Sequence, residues 1–233
     1  MATQYIQAQL DEVKNAVAAA AANCGRTPDE VKLIAVSKTF SCEDILAAYS
    51  RGQRRFGENK VQELEQKAGS LPADIEWHLL GHLQSNKAVK AVQYAAYIHS
   101  VDSVKLVQRL DRLAGEAGKK QKILLEVNIS GEATKFGASA GNDILTMAEA
   151  ASAAANLELA GLMTMAPYDA GDAELHRIFG ALRQLRDKIE KKLNIRLPEL
   201  SMGMSGDFPA AVAEGATFLR IGTAIFGKRN YTV

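Results

Sequence analysis

Short apolar runs rich in β-branched and aromatic residues recur along the chain, and longer stretches between them return an apolar residue every third or fourth position. The runs cover residues 31–36, 54–58, 76–80, 97–101, 123–129, 157–163, 200–204 and 218–221. Their lengths predict strands. The second is the least strand-like, because Arg54 and Arg55 open it. The intervening stretches predict helices over 41–51, 59–68, 84–94, 103–117, 140–155, 172–193 and 208–214. Ser41 with Asp44 three residues on is a variant of the capping box. Ahead of the first run, an Ala-rich stretch over 5–24 predicts one more helix, and Gly25 is placed to stop it.

Strands alternating with helices, with short loops and no Pro/Gly-rich linker, predict parallel β/α units. Their number and the length of the chain favour a single-domain (β/α)8 TIM barrel over 1–233, with the extra N-terminal helix over 1–25 packed on it. A doubly wound open sheet is the structural alternative. In a barrel the active site collects at the C-terminal ends of the strands. Those ends carry Ser37-Lys38, Glu58-Asn59, Gly81-His82, Asp102, Asn128, Thr164, Ser205 and Arg220-Gly222-Thr223.

Three features of that rim suggest chemistry. Met204-Ser205-Gly206 and Ile221-Gly222-Thr223 follow the seventh and eighth runs, where this fold commonly binds phosphate through backbone N–H groups. Ordinary turns are the plain alternative for either loop alone. Arg220 interrupts an apolar run, so it points into the barrel mouth or finds a buried partner such as a carboxylate. Lys38 ends the first run, where it is either a solvated strand end or an amine in the same mouth. Desolvation there would favour a neutral, nucleophilic amine. An amine, a phosphate site and an inward arginine together fit pyridoxal 5′-phosphate.

Composition narrows the partners. Of 233 residues, 47% are hydrophobic and 24% charged, as in a globular protein with a substantial core. Lys plus Arg number 28 against 27 for Asp plus Glu, which gives no reason to expect nucleic acid or an anionic membrane. No apolar stretch approaches bilayer length, and "MATQYIQAQLDEVKNAV" does not read as a secretion signal, so none is expected. The only cysteines, Cys24 and Cys42, lack metal-ligand spacing, and a reduced, cytoplasmic protein without a metal is expected. His78, His99 and His176 share no metal-like spacing and are expected in structural or exposed roles. Met163 and Met165 read as core filler, Trp77 as packing, and "RQLRDKIEKK" as the solvated face of a helix.

Seven stretches in order, "LIAVSKT", "RRFGENKVQE", "WHLLGHLQSNK", "HSVDS", "EVNISGEATKFG", "GLMTM" and "LSMGMSGDFPAAVAEGATFLRIGTAIFG", resemble the pyridoxal-phosphate homeostasis protein family. That family is similar to the barrel domain of fold-type III enzymes such as alanine racemase. The resemblance implies that Lys38 carries the Schiff base. It implies that Ser205, Gly206, Gly222 and Thr223 hold the phosphate, with Ser201 close by. Arg220 would face the pyridine nitrogen and Asn59 would lie near the ring, with His82 a looser candidate. Lys135, in "SGEATKFG", is a second candidate amine or a solvated loop lysine.

A guanidinium cannot accept the pyridine proton, so the ring nitrogen stays neutral and aminotransferase chemistry is disfavoured. The barrel is expected to use essentially the whole chain and to leave no room for the racemases' second domain. One cofactor face is therefore expected to be open. The expectation is a monomeric carrier that exchanges its cofactor with amines, amino acids or apo-enzymes. A racemase or decarboxylase with a minimal domain, or a module that senses the cofactor, are the alternatives.

Overall fold

Eight parallel strands close into a ring: β1 (Lys32–Val36), β2 (Arg55–Glu58), β3 (Glu76–Leu79), β4 (Tyr97–Val101), β5 (Gln121–Asn128), β6 (Leu157–Met163), β7 (Glu199–Ser201) and β8 (Phe218–Ile221). The computed structural model describes residues 2–131, 137–139 and 141–227. Neighbours run β1 to β5 in order on one side and β1, β8, β7, β6, β5 on the other, with β4 pairing β5. That closure excludes the open sheet. A two-residue strand, Ala138–Ser139, pairs with the end of β5 outside the ring.

Helices cover the outside: α1 (Ala2–Asn23), α2 (Cys42–Ser50), α3 (Val61–Ala68), α4 (Ala88–Tyr94), α5 (Val104–Glu116), α6 (Asn142–Ala153), α7 (Asp172–Leu193), α8 (Phe208–Ala213) and α9 (Thr223–Phe226). α2 starts with the expected capping box, Ser41 and Asp44 each serving the other's backbone. α1 buries Ile6, Leu10, Val13, Val17 and Ala21 along one stripe against α2, α8 and α9. It ends where Gly25 turns to φ +69°.

Alternation along the strands builds two cores. Leu33, Ala35, Phe56, Trp77, Leu79, Ile98, Ile123, Leu125, Leu219 and Ile221 face outward under the helices. Ile34, Val36, Leu80, Tyr97, Leu124, Ala160, Met163 and Phe218 fill the barrel. Buried polar groups, among them His78, His99, Ser201 and Arg220, share this interior.

Several elements differ from expectation, among them the strand Ala138–Ser139, which was not expected, and α4, which starts at Ala88 rather than 84. The seventh strand is Glu199–Ser201 rather than 200–204, because Gly203 adopts φ +94° and ends the extended run. β2 starts at Arg55 despite its arginines, since each has a partner. Arg54 stacks on Tyr49 and pairs with Asp74, and Arg55 pairs with Glu76. The short α9 was not expected, as one turn is too brief to show helical periodicity. Among the described residues no helix is long and apolar enough to cross a membrane.

Candidate functional site

A cavity of about 530 Å³ opens at the C-terminal end of the barrel. Val36, Lys38 and Phe40 line it from β1 and its following turn, Asn59 from the end of β2, and Leu80, Gly81 and His82 from the end of β3. Met204, Ser205, Gly206 and Asp207 close one wall with Gly222 and Thr223, and Arg220 lies deeper. The structure thus brings Lys38, Asn59, His82, Ser205, Gly206, Arg220, Gly222 and Thr223 to one cavity. Ser201 does not line it and sits beneath Arg220 instead. Lys135 lies outside the described residues.

The turn bearing Lys38 is anchored on both sides. Ser37 is buried and donates to Glu58 Oε1 at 2.7 Å. Lys67 Nζ donates to the Ser37 carbonyl, to Glu58 Oε1 and to Glu63 Oε1, each at 2.8 Å. Glu63 also accepts the backbone N–H of Thr39. Thr39 is held at φ +71°, a strained setting for a β-branched residue. Burial raises the Glu58 carboxyl above its ordinary range, and Lys67 opposes that shift. This cluster, buried at Glu58 and Lys67, fixes the backbone immediately before and after the amine.

Glycine is needed where strand ends approach closely. A Cβ on Gly81 would lie 2.3 Å from the Asn59 carbonyl, so only glycine lets Asn59 sit beside the end of β3. A Cβ on Gly222 would crowd the Val36 carbonyl at 3.1 Å. The two candidate anion loops are tied together: Ala224 N–H donates to Ser205 Oγ at 3.3 Å. Asp207 caps the first loop by accepting the Met204 N–H. Phe40 stacks on Phe226 with ring centroids 5.0 Å apart, joining the Lys38 turn to α9.

Arg220 forms the floor, only 6% exposed. Its Nη1 donates to Ser201 Oγ at 2.7 Å and its Nη2 to the Thr164 carbonyl at 2.9 Å. Both direct acceptors are neutral, so no carboxylate pairs directly with the guanidinium in these bonds. Burial lowers its pKa to about 10, with Asp207 and then Glu126 opposing the shift, and it stays charged at neutral pH.

Sequence reasoning missed Glu126, which lines the cavity at 3% exposure. Burial pushes its carboxyl up to about 7; Asp102 adds to the rise and Arg220 opposes it. The signal was present, since Glu126 interrupts the apolar run "ILLEVNI" much as Arg220 interrupts "FLRI". Met163 is buried inside the barrel as expected, and Met165, half-buried, packs against that core while also lining the cavity. Tyr168 stands fully exposed on the rim, and His82 Nδ1 lies 3.2 Å from Asp102. Trp77 packs against Phe56 and His176 pairs with Glu214, both structural. No metal-ligand cluster occurs among the described residues. The assembled groups offer a primary amine, two hydroxyl- and glycine-containing loops, and one fixed cation.

Known proteins share this arrangement of chain. Residues 8–230 match the family model for the alanine racemase N-terminal domain. The pyridoxal phosphate homeostasis protein of Aquifex aeolicus is 38% identical over 224 residues, 96% of this chain and 98% of that protein. Among solved structures, PipY of Synechococcus elongatus with PLP bound is 44% identical with a TM-score of 0.81, covering 91% of this chain and 100% of that one. An alanine racemase of Clostridium difficile superposes with a TM-score of 0.76 at 13% identity, over 98% of this chain and 58% of that one, a likeness of fold alone.

Proposed function

The chain belongs to the alanine racemase N-terminal domain family, among the pyridoxal phosphate homeostasis proteins, and from that premise we propose that it holds pyridoxal 5′-phosphate covalently at Lys38 and serves vitamin B6 homeostasis in the cytoplasm. The observation that supports this reading is the meeting of Lys38, the two anion loops and the buried Arg220 on one cavity. The cofactor supplies an aldehyde, which a primary amine can attack. Lys38 is that amine. Backbone N–H groups of Ser205, Gly206, Gly222 and Thr223, with the Ser205 and Thr223 hydroxyls, would hold the phosphate. Arg220 would face the ring nitrogen as a donor and, having no lone pair to offer, would leave that nitrogen unprotonated. Asn59 borders the ring, and His82 stands at the rim beside Asp102.

Exposed His82, Tyr168 and Thr223 leave the mouth accessible, so incoming amines, amino acids or apo-enzymes can reach the cofactor while Lys38 retakes it afterwards. The protein is then a monomeric carrier more than a catalyst. A racemase-like activity is the second reading, and Glu126 favours it, because a cavity carboxyl near neutrality suits proton transfer. Exchange of the α-hydrogen of amino acids for deuterium at enzymatic rates would select the second reading. Protein mixed with pyridoxal phosphate is expected to show a visible absorbance band that Lys38→Ala abolishes. A parent protein that takes up no cofactor would refute the proposal.

A further inference from the structure

Beneath the cavity floor a line of polar side chains crosses the barrel interior to its other end. Arg220 Nη1 lies 2.7 Å from Ser201 Oγ, and Ser201 Oγ lies 2.9 Å from His99 Nδ1. His99 Nε2 lies 2.9 Å from His78 Nδ1, and His78 Nε2 lies 3.1 Å from Glu76 Oε1. Ser201 and both imidazoles are fully buried, with Tyr97 stacked on His78 and Phe218 set edge-on. Glu76 reaches the half-exposed opposite mouth, where it also accepts from Arg55 Nε at 3.0 Å.

The two ends give the line a direction. A guanidinium only donates and an ionised carboxylate only accepts. Hydrogen bonds from His78 and Arg55 hold the Glu76 carboxyl at about 2, so it is ionised. His78 therefore donates from Nε2, and a neutral His78 keeps a lone pair on Nδ1. His99 donates to it from Nε2, which leaves the His99 Nδ1 lone pair for the Ser201 hydroxyl proton. The oxygen of Ser201 then accepts from Arg220, and every group is satisfied once.

Both rings must be neutral for this order. Burial lowers the pKa of each, and for His99 the neighbouring His78 and Arg220 lower it further. Charges of both signs face the pair: Glu76 with Arg55, Glu199 with Lys32, Lys122 beside Tyr97, and Arg220.

We infer that Ser201, His99, His78 and Glu76 are positioning residues for Arg220, a one-directional chain that presents a serine lone pair to Nη1 and fixes the guanidinium in the cavity floor. The role rests on the reading of Arg220 as the partner of the cofactor's ring nitrogen. It differs from a passive buried network in what Glu76→Gln does. An amide both donates and accepts, so the chain can then run either way. In the reversed state His99 Nδ1–H and Arg220 both donate to Ser201 Oγ, so the guanidinium competes for its acceptor and the serine proton is left without one in the line.

Long-range ¹⁵N–¹H correlation spectra of the histidine-labelled, cofactor-free protein near neutral pH read the direction. His78 and His99 should both be neutral Nε2–H tautomers, and Glu76→Gln should mix the tautomers of both. Glu76→Gln should also weaken pyridoxal phosphate binding roughly five- to ten-fold, the loss of about one hydrogen bond. The ¹⁵N resonance of ring-labelled cofactor should move toward its free value in the variant. A charged ring or an Nδ1–H tautomer in the parent would overturn the chain. Mixed tautomers in Glu76→Gln with unchanged affinity and ring resonance would overturn the positioning role. A parent with the expected tautomers that binds no pyridoxal phosphate would refute the reading of the site and the positioning role with it, leaving the chain's direction standing.

Discussion

Glu126 occupies a position where burial and charge pull in opposite directions. Its carboxyl titrates near 7 in the folded cavity and near 4.5 when unfolded, so between those values the native state holds the extra proton. Stability from this group is therefore greatest below about pH 4.5 and is lost as pH rises through 7. Glu126→Gln keeps the shape and cannot ionise. The variant should match the parent near pH 4.5 and exceed it by about 1–3 kcal/mol above pH 7. Denaturant midpoints measured at both ends of that range test this, and a gap that stays constant with pH contradicts it. The residues hardest to assign from sequence were those whose role depends on strand parity. Arg220 was legible because a charge within an apolar strand demands a partner. Glu126, His78, His99 and Ser201 obey the same logic, yet only the ring of strands shows that all face inward. The family resemblance implies that Ser201 lies close to the phosphate, and its hydroxyl is engaged by Arg220 and His99.

Among the elements, α1 makes the sharpest test because it lies outside the β/α repeat. Its apolar stripe packs on α2, α8 and α9, which joins it to the helix that follows the second candidate anion loop. Leu10 is fully buried in that contact. Leu10→Ala should cost about 2–5 kcal/mol by urea denaturation, the range for a buried leucine that leaves a cavity. A loss below about 0.5 kcal/mol, the range of ordinary surface changes, would mean that α1 is an appendage. Strands and helices were legible because their periodicities differ. β2 was obscured by arginines that serve the barrel's lower mouth, and the end of β7 by a glycine whose φ no hydropathy pattern reveals.

At the scale of the molecule, eight strands bring to one mouth residues as far apart in sequence as Lys38 and Thr223. Closure was expected from the count of strands, while the depth of the cavity and the charge line beneath it came only from register. The cluster of buried Lys67 and Glu58 with half-buried Glu63 shows that the amine-bearing turn is held by the barrel and α3 together. Covalent attachment at that turn is the central claim. Mass spectrometry of the protein incubated with pyridoxal phosphate, reduced with borohydride and digested, tests it most directly. The account predicts one pyridoxyl adduct, on the peptide containing Lys38; no adduct, or an adduct on Lys135 with Lys38 unmodified, would contradict it.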